Sequence, residues 1–428
     1  MKKSILFLAG AILFSFSSLA QQRDMQYWRP YDQRGINVFE TGKADTVAFD
    51  GVKVRVGGAF TQQFQSISHE NSASPFINDN GVNTNQLMDI GSGFNLATAN
   101  LNIDVALADG IRLNLITYLS SRHHPETWVK GGYLQLDKLS FLNSEAFDKI
   151  MENVTIKVGH MEVNYGDAHF RRSDNGNAFY NPFVGNYIMD AFATEIGAEV
   201  IYQNNGFIAV ASMTGGEIQG GVTNPDKRKP SFIGKLGYDK TLDNELRLRL
   251  TGSVYTTSGS VNNTLWAGDR SGSRYYLVMS NTLASTSSDF RTGRFNPGMR
   301  DNVTAIVLNP FISYRGLELF GNLEQSKGKA SNESDDRTWN QIGLDAVYRF
   351  GNRDNYYLAG RYNKVSGEMV SGIEPNISRV QIGGGWYITK NILAKLEYVN
   401  QKYHDFAPTD IRNGGSFNGL MIEGVIGF

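Results

Sequence analysis

The chain has 428 residues, with 41 Lys and Arg against 42 Asp and Glu, and no cysteine. The missing cysteine excludes a disulfide scaffold, a thiol nucleophile, a Cys-ligated zinc site and a lipid-modified N-terminal Cys. The near-neutral balance argues against a nucleic-acid partner.

Met1-Lys2-Lys3 followed by an apolar run from Ser4 to Ser17 and small residues at Ser18-Leu19-Ala20 reads as a secretory signal peptide over 1–20. The run is too short to serve comfortably as a membrane-spanning helix. Removing Lys2 and Lys3 from the 41 bases leaves 39 against 42 acids, a net charge of −3. Residues 21–50 fit no barrel strand and are expected to form a periplasmic N-terminal segment. Trp28-Arg29-Pro30-Tyr31 is able to seat it against a floor, but a disordered leader is the reading favoured by its sequence.

The remainder, 51–428, carries 46 Gly, 12% aromatics and only 10 Pro over the whole chain, a usage that favours strands. It contains no apolar run long enough for a transmembrane helix. Instead, apolar and polar residues alternate over segments of about ten, repeated many times, which is the pattern of a transmembrane barrel. From Val52 to Ser66, Val52, Val54, Val56 and Phe60 share one face, and Lys53, Arg55, Thr61, Gln63 and Gln65 the other. Leu101, Ile103, Val105 and Leu107 repeat the pattern against Asn100, Asn102 and Asp104, and Ala108-Asp109-Gly110 turns into Ile111, Leu113 and Leu115. Phe192, Ile196, Ala198 and Val200 alternate with Glu195 and Glu199, and later runs centre on Leu248, Leu319 and Leu344. Tight turns at 108–110, 204–206, 240–245, 315–316, 351–354 and 388–391 alternate with longer polar segments, from 67–94 through 166–189 and 258–300 to 402–414. Seventeen strand-like runs are visible, but both termini on the periplasmic side require an even number. The run Arg274 to Ser280 breaks the direction of its neighbours, so it belongs to an external loop. The expectation is an all-β, antiparallel transmembrane barrel of about 16 strands, with short periplasmic turns and long extracellular loops. The alternation to a terminal Phe428, and aromatics near strand ends such as Tyr238, Phe350, Tyr356, Trp386 and Tyr398, support it.

Two stretches carry a resemblance. Trp386-Tyr-Ile-Thr-Lys-Asn-Ile-Leu-Ala-Lys-Leu-Glu-Tyr-Val399 is similar to the penultimate hairpin of the phosphate-selective porin O/P family. Lys157-Val-Gly-His-Met-Glu-Val-Asn-Tyr-Gly166 resembles the strand that enters that family's constriction loop. The chain as a whole resembles the Bacteroidetes-type outer-membrane porins allied to that group. The resemblance implies sixteen strands, a homotrimer and a loop folded into the pore.

On this strand reading the lumen-facing bases are Lys53, Arg55, Arg112, Lys157, Lys235, Arg247, Arg249, Arg361, Arg379 and Lys395. The acids are Asp104, Asp137, Glu195, Glu199, Asp239, Glu318, Glu324, Asp345, Glu397 and Glu423. Such a balance predicts weak ion selectivity, each charge being a solvated wall group. The constriction candidates are Asp167, His169, Arg171, Arg172 and Asp174 in the segment Gly166 to Tyr187, where the two arginines are expected to face acids across the pore. The six histidines, His69, His123, His124, His160, His169 and His404, sit in no nucleophile motif. His160, Glu162, Asp167 and His169 match no metal-ligand spacing.

The sequence is therefore read as an outer-membrane porin, not an enzyme, with no cofactor or metal. Its expected partners are outer-membrane lipid and lipopolysaccharide, small hydrophilic solutes and copies of itself. An accessory barrel of a larger surface or secretion complex and an anion-selective porin are the alternatives. Thirty residues before the barrel cannot form the globular plug of an energy-coupled receptor.

Overall fold

The computed structural model describes residues 24–428 apart from Thr46, Leu96, 217–219, Asn244 and Ser273. The signal peptide expected over 1–20 lies outside the described residues.

Sixteen long antiparallel strands close into a barrel. They are β1 (Lys53–Glu70), β2 (Thr98–Ala108), β3 (Ile111–Ser120), β4 (Trp128–Leu136), β5 (Val154–Glu162), β6 (Thr194–Asn204), β7 (Phe207–Thr214) and β8 (Ser231–Leu242). The second half comprises β9 (Leu246–Thr257), β10 (Val303–Tyr314), β11 (Leu317–Gly328), β12 (Arg337–Phe350), β13 (Tyr356–Gly367), β14 (Asn376–Thr389), β15 (Ile392–His404) and β16 (Ser416–Gly427). Each strand pairs with its sequence neighbour, and β1 closes the ring on β16 from Ala59 opposite Gly427 to Glu70 opposite Ser416. Closure leaves no strand edge, which is the condition for a sheet to sit in lipid. Among the described residues no helix is long and apolar enough to cross a membrane. The run at 274–280 is irregular, as direction required, and lies in the connection from β9 to β10.

The outer face is apolar: Val54, Leu250, Leu319, Leu344, Leu358 and Ile422 all stand exposed. An aromatic row marks one rim of this band. Tyr348, Phe350, Tyr356 and Trp386 stack in succession at interplanar angles of 18°, 25° and 19°, where amphipathic rings meet the headgroups. Tight turns use the left-handed residues their geometry demands, as at Asn205 (φ 52°) and Gly206 (φ 92°).

Two features depart from the expected layout. The connection from β4 to β5 is long and carries a short helix, α1 (Glu145–Met151), with Phe141, Leu142, Phe147 and Ile150 exposed. Also, Phe192 does not belong to the outer face. β6 begins at Thr194, and Phe192 is buried against the Arg172 guanidinium, 4.1 Å from its ring centre.

The outward register makes a direct prediction. Leu344→Arg, at the middle of β12, is expected to cost about 2–4 kcal/mol on folding into lipid vesicles, measured by denaturant titration.

Candidate functional site

The inner face is where the alternating polar residues meet the rest of the chain. Residues 163–193, between β5 and β6, are buried almost throughout. Their backbone amides are satisfied by side chains from strands around the ring. Asp167 donates to Asn309 at 2.8 Å, Gly176 to Asn100 at 2.9 Å, Val184 to Glu397 at 2.8 Å, Ile188 to Asn363 at 2.6 Å and Met189 to Gln341 at 2.9 Å. Carbonyls are met by cations: Arg361 reaches Gly185 at 3.0 Å, Arg379 reaches Asn186 at 2.6 Å and Lys395 reaches Ala178 at 2.6 Å. Gly343 on β12 makes room for this segment, since a Cβ there would lie 2.4 Å from the Tyr187 ring.

The long β9–β10 connection joins this segment in an apolar cluster. Leu265, Trp266, Tyr275, Val278, Phe295 and Met299 pack with Val184, Ile188 and Met189 against inner positions Ile233, Tyr255, Val303, Val307, Trp339, Val365, Ile377, Val399 and Phe417. Where these inner positions are apolar, the wall has a core on each side, lipid outside and folded chain within. The two connections are also bridged by charge: Arg172 contacts Asp190 at 2.6 Å and Asp269 at 2.7 Å.

The N-terminal segment differs from the disordered leader expected from its sequence. From Asp24 to Asp50 it straps one mouth of the barrel, touching turns and inner walls in sequence. Trp28 and Tyr31 both donate to Asp104, Gln33 donates its amide to Lys390 at 2.9 Å, and Asn37 donates to Glu318 at 2.7 Å. Lys43 pairs with Asp137 at 3.1 Å. Buried aromatics and buried charge partners order a stretch that alone has neither strand nor helix periodicity.

One cluster ties strap, inner segment and wall together. Glu40 of the strap and Asp167 of the inner segment share Lys235 of β8 and Arg249 of β9, at 3.1 and 3.0 Å from Lys235 and 2.7 Å each from Arg249. Thr251 adds a hydrogen bond to Asp167 at 2.7 Å, and Arg249 also reaches Asp239 at 3.0 Å. Burial alone would raise the pKa of Glu40, but Lys235 and Arg249 outweigh it and hold it down at about 2. The same pair drives Asp167 well below the usual carboxylate range despite its burial.

The wall charges expected from the sequence face inward, and most are buried in pairs and hydrogen bonds rather than solvated; Lys53, Lys157, Asp239 and Arg247 stay partly exposed. Arg112 pairs with Asp104 (2.5 Å), Lys157 with Glu199 (3.1 Å), Arg247 with Asp239 (2.7 Å), Arg361 with Asp345 (2.6 Å) and Lys395 with Glu423 (2.8 Å). Arg55 stacks over Trp28 at 4.1 Å, Glu195 accepts from Tyr255 at 2.8 Å, and Glu324 accepts from Tyr165 at 3.1 Å and Trp266 at 3.3 Å. Of the constriction candidates, Arg171 is bound to Glu318 (3.3 Å) and Arg172 to Asp190 and Asp269, so neither faces an acid across open space. Asp167 sits in the cluster above. His169 and Asp174 are different: both line a cavity.

That cavity, about 200 Å³, runs as a slot beside β3 to β6. Arg112, Asn114, Tyr133, Gln135 and Lys157 line its wall side, and Arg29, Tyr31, Phe170 and Asn177 the opposite side. Lys130 and Asp174, paired across it, lie near one end with Thr194. Lys130 and Glu40 escape an analysis of alternation, because one lies beside a β-bulge and the other in a segment without periodicity. The side chains that carry this framework, Asn309, Asn363 and Gln341, are legible only as polar positions on alternating strands. Among the described residues no group of three or more His, Cys, Asp or Glu is arranged to hold a metal ion.

No protein-family profile matches the chain, and no curated sequence does either. Solved structures do match in fold. OmpT, an outer-membrane protein of Vibrio cholerae in its trimer form, superposes with a TM-score of 0.52 at 12% identity, over 89% of this chain and 100% of that one. The anion-selective porin of Comamonas acidovorans gives 0.52 at 12% identity, over 88% and 100%. The outer-membrane channel DcaP of Acinetobacter baumannii gives 0.52 at 10% identity, over 89% and 99%. At such identities the likeness is one of fold. The chain has the fold of a sixteen-stranded outer-membrane β-barrel, whose strands cross the membrane many times.

The four-charge cluster predicts an acid-labile strap. A carboxylate with a depressed native pKa stabilises above its ordinary pKa and loses that contribution as pH falls through the native value. Protection of residues 24–50 from protease is expected to hold from neutral pH to about 4 and to fail between about 4 and 2. Glu40→Gln, which leaves two buried cations short of a partner, is expected to loosen the strap at neutral pH by about 3 kcal/mol, read by the same proteolysis.

Proposed function

We propose that the protein is a non-enzymatic outer-membrane porin that lets small hydrophilic solutes or ions pass passively through its polar lumen, with 166–187 as the inward-folded segment that narrows it. The slot along β3 to β6 carries this reading, because it is a cavity left beside the inner segments, lined by charged and amide groups together with aromatic side chains. Asp174, paired with Lys130 of the wall, and His169, beside Glu162, are its constriction residues from that segment. The buried ion pairs at Arg171, Arg172, Arg249 and Arg361, with Arg379 bound to the carbonyls of Asn186 and Gly293, hold the narrowing segment and give no selectivity of their own. With charges paired, the passage has weak ion preference. The trimer form of OmpT and the family resemblance favour a homotrimer, each copy with its own passage, embedded in outer-membrane lipid and lipopolysaccharide.

One observation favours a second reading, an accessory barrel of a larger surface or secretion complex: the strap, the inner segment and the β9–β10 connection together fill much of the lumen. Planar-bilayer recording separates the two. The porin reading predicts small conductance steps in groups of three and a reversal potential near zero under a salt gradient. Deleting 24–50 should raise each step severalfold. Insertion with no conductance, before and after the deletion, would contradict the porin and leave the accessory barrel.

A further inference from the structure

The slot has a chemical character that its charge count alone does not reveal. Four carboxylates (Glu40, Glu162, Asp174, Glu199) line it with four cations (Arg29, Arg112, Lys130, Lys157). Each cation is already matched. Arg112 holds Asp104, Lys157 holds Glu199 and Lys130 holds Asp174, while Arg29 donates to the carbonyls of Gly35 and Phe170, at 2.9 Å each. Glu40 is held by Lys235 and Arg249, and His169 lies 3.4 Å from Glu162. A charged solute would have to separate one of these pairs, away from bulk water, to gain a counter-charge of its own.

Two other kinds of group are left over. The amide oxygens of Asn114 and Asn177, both in the slot lining, accept no hydrogen bond, and Arg112 Nε and Glu162 Oε1 there also lack a hydrogen-bond partner beyond their charge contacts. Unmet acceptors in a confined site are satisfied by a donor that arrives. Half-buried rings flank them: Tyr133 from the wall, Tyr31 from the strap and Phe170 from the inner segment. Aromatic surface beside hydrogen-bonding groups, with no net charge, suits a solute with C–H faces and many hydroxyls.

We propose that the slot recognises neutral polyhydroxylated solutes of about one sugar ring, and that Tyr133, Phe170 and the Asn114 and Asn177 amides are its specificity-determining residues. The proposal rests on the channel reading above and names its solute class. The ring's C–H face lies on Tyr133 or Phe170, and its hydroxyls donate to the two amide oxygens and share the paired charges without breaking them.

Swelling of proteoliposomes tests it, with D-glucose against the smaller zwitterion L-glutamine. Sieving by size alone favours glutamine. Recognition predicts that glucose enters faster, by roughly fivefold, and that Tyr133→Ala with Phe170→Ala reverses the order while Tyr133→Trp retains it. Independently of any variant, glucose titrated onto the wild-type pore should reduce the ionic current with saturation, and inorganic phosphate at equal concentration should not. Glutamine entering faster in the wild type, or block by phosphate and not by glucose, would overturn the proposal and leave the channel reading standing. No swelling and no conductance from inserted protein would overturn both.

Discussion

Irregular backbone at membrane depth is tolerated only where protein satisfies its N–H and C=O groups, and the interior of this barrel is organised by that requirement. The segment 163–193 has almost no regular structure of its own beyond one short turn of helix. Its amides and carbonyls are therefore met by Asn100, Asn309, Gln341, Asn363, Arg361, Arg379, Lys395 and Glu397, which project from six strands, β2, β10, β12, β13, β14 and β15. The strand alternation places such groups at fixed heights on the inner wall, and closure of the barrel fixes them relative to one another. A single mismatch would leave a buried polar group unpaired, at a cost of about 1–3 kcal/mol.

Charge follows the same logic. Buried cations are tolerated when carboxylates and carbonyls surround them, and the Glu40–Asp167–Lys235–Arg249 cluster joins three separate parts of the chain in that way. The equality of bases and acids on the inner wall is thus a condition for packing segments inside the barrel. In the proposed porin, selectivity would belong to the few groups that border the slot. The slot lies beside the wall from Arg112 to Lys157, whereas the opposite wall combines its buried polar groups with an apolar cluster and is filled.

Much of the barrel was legible because period 2 is unambiguous where one face meets lipid: the sixteen strands, the register of Arg112, Glu318 or Asp345, and the exclusion of Arg274 to Ser280 from the wall all follow from it. The interior was not legible to the same degree. Arg171 and Arg172 are adjacent in sequence, but their partners lie 147 and 18 residues away, on a strand and in the same segment, and no local pattern reports that. The strap reads as a leader because its order comes from Asp104, Glu318 and Lys235, which only the closed barrel brings together. One signal was present and unread: Val303, Ala305 and Val307 alternate with Thr304, Ile306 and Leu308, so β10 is apolar on both faces, and a strand bordering a water-filled pore has no use for that.

The central claim is that the inner segment is fixed to the wall by side-chain hydrogen bonds. Residue-resolved hydrogen exchange on the folded protein in lipid tests it most directly. The account predicts that the amides of Val184, Ile188 and Met189, donated to Glu397, Asn363 and Gln341, exchange as slowly as those of the strands. Exchange as fast as in the exposed connection 71–92 would contradict it, and would mean that the lumen is open where this structure fills it.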